Sequence, residues 1–397
     1  MKKLLIISLI SAFILSCHSN KEDNTNTFNL EKANKELVFI EQQYLNMIES
    51  VPDSLLPRSV DNDGKPYYVN PSDWTSGFYS GILWYLFENS KNEKFKTEAL
   101  KYTNLLESQK YNNHTHDLGF MLYSSYGNGY RIAKDSMYKR ILLRGAKTLS
   151  SRFNDSIGAI KSWDWNPAWQ FPVIVDNMMN LEYLFWAAKT TGDSVYYKQA
   201  VSHANVTLKN HFREDNSSYH VVNYDTVTAK VIEKITVQGY SNESAWSRGQ
   251  AWSLYGYTVM YRETKNQKYV EQAKKITTYV FDHPNMPSNL IPYWDFNAPN
   301  IPTALRDASA AAITASALLE LSQYVDEETN KNYLSKVDII LATLASSKYT
   351  AELGKNNNFV LKHSTGHLPG GREIDVPLVY ADYYYIEALM RYKNLKK

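Results

Sequence analysis

Ala308-Ser309-Ala310-Ala311-Ala312-Ile313-Thr314-Ala315-Ser316-Ala317-Leu318-Leu319 reads as a helix with no wet side. Ala is the best helix former, and no charge falls anywhere on the turn, so such a helix is expected to be buried all round. Its small residues let neighbouring helices approach closely. Just downstream, residues 328–347 carry Lys, Asp and Asn on one face and apolar groups on the other, the pattern of a half-wet helix. A fully buried helix followed by an amphipathic one is a hairpin with an inside and an outside.

Outward from this pair the same alternation repeats. Helix-period patterns place helices near 30–49, 72–90, 93–109, 117–128, 134–152, 177–190, 193–212, 243–263, 266–282, 306–325, 328–347 and 377–394. Those near 93, 134, 193, 266 and 328 are Lys-rich and amphipathic; those near 72, 117, 177, 243, 306 and 377 are apolar nearly throughout. Strand signals are weak and confined to connections, such as 219–236 and 359–363. Twelve helices alternating in this way predict an all-α fold, an (α/α)6 barrel with inner and outer rings of six. No repeat of fixed period points to a solenoid instead.

The starts of the inner helices share a chemistry. They read Asp73-Trp74, His116-Asp117, Asp176-Asn177, Ser244-Ala245-Trp246-Ser247-Arg248, Arg306-Asp307 and Asp375. If helix direction alternates between rings, all six starts meet at one end of the barrel. N-capping accounts for some of the Asp residues, but not for the Trp, His and Arg beside them. A cleft for a polar, ring-shaped ligand accounts for the whole set. Asp176 interrupts the apolar run from Phe171 to Ala188. Burial there would raise its pKa, as a general acid near neutral pH requires, although the position also suits a cap. Asp117 is the second carboxylate on a neighbouring inner helix, and paired carboxylates across a sugar site suit glycoside chemistry. Arg248, inside a buried helix, needs either an internal acid, Asp117 or Asp176, or an anionic ligand such as a substrate carboxylate. Trp74, Trp246 and Trp252 are candidates for packing on sugar faces. His220 and Gln238 lie in the long segment 213–242, where a loop of that length tends to carry function.

The chain has 397 residues, nine Trp, 31 Tyr and a single cysteine, Cys17. Met1-Lys2-Lys3 followed by an apolar stretch to Leu15 and then Ser16-Cys17 is a secretory signal, too short to span a bilayer. Ile14-Leu15-Ser16-Cys17 resembles the lipobox of bacterial lipoproteins, which implies removal of residues 1–16 and acylation of Cys17. Residues 17–29 then form a flexible tether, and residues 30–397 one catalytic domain. The expected location is the cell envelope, periplasmic or otherwise exported, with membrane contact only through the lipid. The formal charge of +2 falls to zero when Lys2 and Lys3 leave, which gives no basis for nucleic-acid binding. No disulfide is possible with one cysteine, and the His spacing fits no usual metal-ligand pattern.

Six segments resemble the unsaturated glucuronyl hydrolases of glycoside hydrolase family 88: Asp73-Trp74-Thr75-Ser76-Gly77-Phe78, His116 to Phe120, Asp176 to Asn180, Ser244 to Trp252, Asp307 to Ala312 and Asp375 to Tyr384. The resemblance implies that the C4=C5 double bond left on a uronate by a polysaccharide lyase is hydrated, without metal or cofactor. It implies that Asp176 is the general acid/base and that Asp117 supports it. Arg248 would hold the uronate carboxylate, Trp74, Trp246 and Trp252 would pack on the rings, and His116, His220 and Gln238 would hydrogen-bond hydroxyls or water. The expected substrates are glycosaminoglycan-type disaccharides. Unsaturated rhamnogalacturonan fragments, a polysaccharide lyase activity and a non-catalytic glycan-binding lipoprotein are the alternatives. Some family members bear Ser and Lys for sulfate in the C-terminal loop, where this chain has Ser364 and Arg372 but no lysine after Lys362.

Overall fold

The computed structural model describes residues 28–396. Among them are twelve α-helices: α1 (Leu30–Ile48), α2 (Ser76–Ser90), α3 (Glu93–Asn104), α4 (Asn128–Ala133), α5 (Ser136–Ser150), α6 (Leu181–Thr191), α7 (Ser194–Asn210), α8 (Ser247–Thr264), α9 (Gln267–Asp282), α10 (Ala308–Leu321), α11 (Glu327–Leu344) and α12 (Val379–Leu395). The even-numbered helices touch in a closed circle, α2 to the α4 unit, then α6, α8, α10, α12 and back to α2. Each odd-numbered helix packs outside an even-numbered one. This is the expected (α/α)6 barrel.

The inner helices are buried for the reason the sequence gives. Every residue of α10 is buried, and its Ala and Ser side chains admit α8 and α12 on either flank. The return to the outer ring is made in two residues. Inner helices α2, α4, α6 and α8 end on a left-handed residue, Lys91, Lys134, Gly192 and Lys265. The next residue, Asn92, Asp135, Asp193 or Asn266, accepts a backbone N–H bond and caps the following outer helix. Tight hairpins therefore close one end of the barrel. The long connections all fall at the other end, where the inner helices begin.

Two inner helices start irregularly. The predicted helix 117–128 is a π-helix over Gly119–Gly127 that runs on into α4. The predicted start of α6 at 177 is instead a 3-10 turn, Val175–Asn180, before the regular helix. Strands occupy the long connections: β1 (Leu56–Val60) pairs with β2 (Pro66–Val69), β3 (Phe153–Asn154) with β4 (Ala159–Ile160), and β5 (Phe171–Ile174), β6 (Val221–Tyr224) and β7 (Val231–Ile235) form an antiparallel sheet. The segment expected as strand at 359–363 makes only an isolated bridge, Thr350 to Leu361.

The signal peptide and Cys17 lie outside the described residues. The last two residues of the predicted tether do not behave as one. Phe28 is buried against Tyr392, ring centroids 5.3 Å apart, and Asn29 caps α1. Residues 28 and 29 are therefore part of the packed domain.

Candidate active site

At the end of the barrel where the inner helices begin, a cavity of about 270 Å3 opens. Trp74, Asp117, Asp176 and Arg248 line it from four different inner-helix starts, and Gln238 from the loop that precedes α8. A larger cavity, about 450 Å3, lies at the opposite end between the ends of the inner helices. Its walls hold Glu387, which accepts from Tyr85 and Tyr255. The smaller cavity combines a carboxyl acid, a second carboxylate and three arginines, so the chemistry is placed there.

Asp176 projects from the 3-10 turn that follows β5. Asp176 lies within the first turn, behind Ile174 at the N-cap position, and the turn has no side-chain cap. Asp176 is 8% exposed, and its Oδ2 has no hydrogen-bond partner among the described residues. Burial pushes its pKa up to about 7; the Arg248 cation opposes this, the Asp117 charge adds to it, and the Trp252 indole also favours the anion. The carboxyl is thus poised to give a proton near neutrality and to take one back. His220 Nε2 stands 3.7 Å from Asp176 Oδ2, outside hydrogen-bond range. The His220 ring is oriented by its other nitrogen, since Nδ1 accepts from the Val237 and Gln238 backbone N–H groups at 3.1 and 3.3 Å. Nε2 therefore carries the proton, and burial keeps the ring neutral by lowering its pKa.

Asp117 is held from both sides. Thr115 Oγ1 donates to Oδ2 at 2.5 Å, and His116 Nε2 lies 3.2 Å from Oδ1. Arg248 is paired internally, but with neither expected acid. Its guanidinium donates to Asp307 at 2.8 Å and to the carbonyls of Thr365 and Gly366 at 2.7 and 2.6 Å. It also lies over the Trp246 ring, 4.4 Å from the centroid. Most of its donors thus hold the 364–373 loop, while its charge faces the cavity. Gln238 lines the cavity and donates to Gly366 O at 3.2 Å.

Four expected ligand contacts need correction. Trp246 and Trp252 are 3% and 1% exposed and line no cavity wall. Helix α8 turns Trp252 between Phe120 and Tyr384, each 5.2 Å away, while Trp246 packs on Arg248 and His220. His116 and His220 are likewise buried behind the carboxylates. These four side chains shape the wall from behind. Trp74 does line the cavity, against Phe120 at 5.5 Å and Tyr380 at 5.1 Å.

The structure adds residues that the sequence reading missed. Trp163 and Trp165 enter from the loop between β4 and β5, their rings tilted at 44° with centroids 5.5 Å apart, and Trp165 is 61% exposed at the mouth. Three tryptophans within Trp163-Asp164-Trp165-Asn166-Pro167-Ala168-Trp169 were the available signal. Arg58 enters from the β1–β2 hairpin and is clamped by Asp73 at 2.7 Å and Glu373 at 2.6 Å. Arg372 lines the cavity and makes no ion pair among the described residues. No group of three or more His, Cys, Asp or Glu side chains is placed to hold a metal among the described residues.

A helical barrel with a protonatable carboxyl and tryptophans at one mouth is the architecture of a sugar-active enzyme. The chain belongs to glycoside hydrolase family 88: the sequence pattern of Glycosyl Hydrolase Family 88 matches residues 47–385. It is 44% identical to an unsaturated glucuronyl hydrolase of Formosa agariphila, across 100% of this chain and 99% of that one. It is 32% identical to an unsaturated glucuronyl hydrolase of a Bacillus species, across 83% and 89%. Among solved structures, an unsaturated glucuronyl hydrolase specific for heparin superposes with a TM-score of 0.90 at 48% identity, covering 93% of this chain and 98% of that one. The protein is a glycoside hydrolase.

Proposed function

We propose that the protein cleaves unsaturated uronyl oligosaccharides, of glycosaminoglycan type, by hydrating their C4=C5 bond. The observation that carries this is Asp176, a buried carboxyl with a pKa of about 7 and an unpartnered oxygen in the cavity wall. The C4=C5 alkene is a vinyl ether, because ring O5 is bonded to C5. Asp176 gives its proton to C4, which puts cationic charge on C5 and O5. Water adds at C5 and returns a proton to the Asp176 carboxylate. The hemiketal formed then opens, expelling the second sugar and leaving a 4-deoxy-5-keto uronate. The Asp117 carboxylate supports the positive charge.

Substrate class follows from charge and shape. The Arg248 field attracts the uronate carboxylate, and Arg372 at the mouth offers an unneutralised fork for a second anionic group. Trp165, beside it, presents an exposed ring to the leaving sugar. The related structures include one complexed with dGlcA-GalNAc6S, a variant of the Streptococcus agalactiae enzyme. This is consistent with sulfated disaccharides as substrates here.

The test follows alkene absorbance with unsaturated chondroitin, hyaluronan, heparin and rhamnogalacturonan disaccharides. Loss of signal on the glycosaminoglycan substrates is expected, and loss only on rhamnogalacturonan would move the substrate class. A gain of signal on intact polysaccharide would mean a lyase. Binding without any change would mean a glycan-binding protein and would sink the hydrolase reading.

We also infer that the mature protein starts at Cys17 and is anchored by lipid on that thiol, in the cell envelope. The Leu-Ser-Cys pattern after a short apolar segment supports this. Expressed in a bacterium, the wild type should partition with detergent and take up labelled fatty acid. Cys17→Ala should do neither while keeping its activity.

A further inference from the structure

Behind Asp117 runs a chain of buried amides that the proposed chemistry never touches. Its orientation can be read from backbone groups, whose donor and acceptor roles are fixed. The Gly119 N–H donates to Asn180 Oδ1 at 2.8 Å. A Cβ at position 119 would stand 2.4 Å from that oxygen, so only glycine permits the approach. With Oδ1 assigned as acceptor, the other terminal atom of Asn180 is the NH2 group. It donates to Asn177 Oδ1 at 2.9 Å and faces His116 Nδ1 at 3.4 Å. Asn177 is oriented in turn by its own donation to the Ile160 carbonyl at 2.9 Å. Asn177, Asn180 and His116 are all fully buried, so no solvent competes for these bonds.

A ring nitrogen that accepts a hydrogen bond carries no proton. Burial lowers the His116 pKa, against the Asp117 charge and the Asn177 amide, which raise it, so the ring is neutral; with Nδ1 accepting from Asn180, its single proton sits on Nε2. That nitrogen lies 3.2 Å from Asp117 Oδ1, off the ideal donor line, and has no hydrogen-bond partner among the described residues. In the other tautomer Nε2 would turn a lone pair toward the carboxylate, and the Asn180 NH2 would meet an N–H.

We propose that Asn180 is a positioning residue for the reaction: it fixes the His116 tautomer so that the imidazole offers N–H, and not a lone pair, to Asp117. Asn177 holds Asn180 in the orientation this requires. His220 is set by a different device to the same end, with backbone N–H groups on Nδ1 and Nε2–H toward Asp176. Both carboxylates thus face an imidazole donor. The inference rests on the reading that Asp117 supports the chemistry at Asp176.

Asn180→Asp is the discriminating variant. It keeps an acceptor for the Gly119 N–H at nearly equal volume but replaces the donor facing His116 with a second acceptor, which draws the His116 proton to Nδ1. With 15N-histidine labelling, and His116 identified by its disappearance in His116→Gln, the wild type should show Nε2–H and the variant Nδ1–H. Turnover should fall by about a hundredfold, less than the ~10⁴ that a wrong-tautomer imidazole costs where it is itself the base, because here it acts through Asp117; KM should change by less than about threefold. In the His116→Gln background the same change should cost nothing further. If Asn180→Asp does not fold, Asn180→Ala is held to the same kinetic and coupling criteria. A wild type with Nδ1–H would overturn the proposal. So would a flipped tautomer with full turnover, or equal losses with and without His116. Should the wild type consume none of the four alkenes, the functional reading fails, while the nitrogen spectrum still decides the tautomer.

Discussion

Asp176 is kept where it weakens the fold. Its folded-state pKa of about 7 lies above the ~3.9 of a free aspartate. The native state therefore binds the proton more tightly than the unfolded chain, and stability falls as pH rises from about 4 through about 7. Above that window the whole penalty is present, up to about 4 kcal/mol from the difference in pKa. Asp176→Asn removes it. The variant should melt higher than wild type at pH 8, with the gap closing by pH 4; calorimetry across that range checks this. Asp382, also pushed up to about 7, is unchanged between the two proteins and drops out of the comparison. The same substitution should lower turnover by about 10²–10⁴, the usual worth of a general acid. Wild-type kcat/KM should hold steady below pH 7 and fall about tenfold per unit above it, as the acid form is lost. A variant that is more stable yet inactive separates the acid role from a structural one, and an Asn variant that keeps near-full rate would remove Asp176 from the mechanism.

At the scale of single elements, α10 shows what the sequence states openly. Its apolar run marks it as buried, and Asp307 caps it by accepting from the Ser309 N–H at 3.0 Å. The same Asp307 neutralises Arg248 on α8, which the sequence did not show, because the pairing crosses two inner helices. Asp307→Asn keeps the cap but leaves Arg248 buried without its counter-charge. A cost of about 3–5 kcal/mol is expected in denaturant unfolding, and a cost under 1 kcal/mol would mean that the Thr365 and Gly366 carbonyls suffice. The helices were legible because burial on one or all faces leaves a 3.6-residue signature. The π-helix over Gly119–Gly127 was not, since one extra residue per turn is invisible where nearly every position is apolar. The β1–β2 hairpin escaped for the opposite reason: its strands are short, β2 is half exposed, and the pair contains Pro57 and Pro66. Asp117, Asp176, Gln238, Trp74 and Arg248 line one cavity because they sit at or near inner-helix starts, which the pattern locates. Arg58 comes from a short hairpin strand and Trp163 and Trp165 from a loop, whose courses over the barrel mouth no periodicity records. Trp246 and Trp252 were placed at the right end but on the wrong side of the wall, because a helical position fixes height more firmly than the direction of a ring.

For the whole molecule, the alternation of rings decides where binding can occur. Two-residue hairpins close one end so tightly that loops cannot reach over its cavity. Long connections crowd the other end, and they supply Trp165, Arg372 and the 364–373 loop. Size alone would favour the larger cavity, which Trp186 and Tyr130 border at a ring separation of 5.8 Å. Chemistry favours the smaller one, because there an unpartnered carboxyl oxygen of Asp176 meets Arg372, an arginine with no ion pair among the described residues. Two substitutions of the same size separate the alternatives. Trp165→Ala removes an exposed ring that the fold does not need, so melting should be unchanged. Losing the stacking surface for the leaving sugar should raise KM by about tenfold, a contact worth roughly 1.4 kcal/mol. Trp186→Ala, at the far end, should cost stability through lost packing on Tyr123 and Tyr130 while kcat/KM stays within about twofold of wild type. If instead Trp186→Ala raises KM and Trp165→Ala does not, the substrate enters from the hairpin end, and the assignment of the catalytic mouth is wrong.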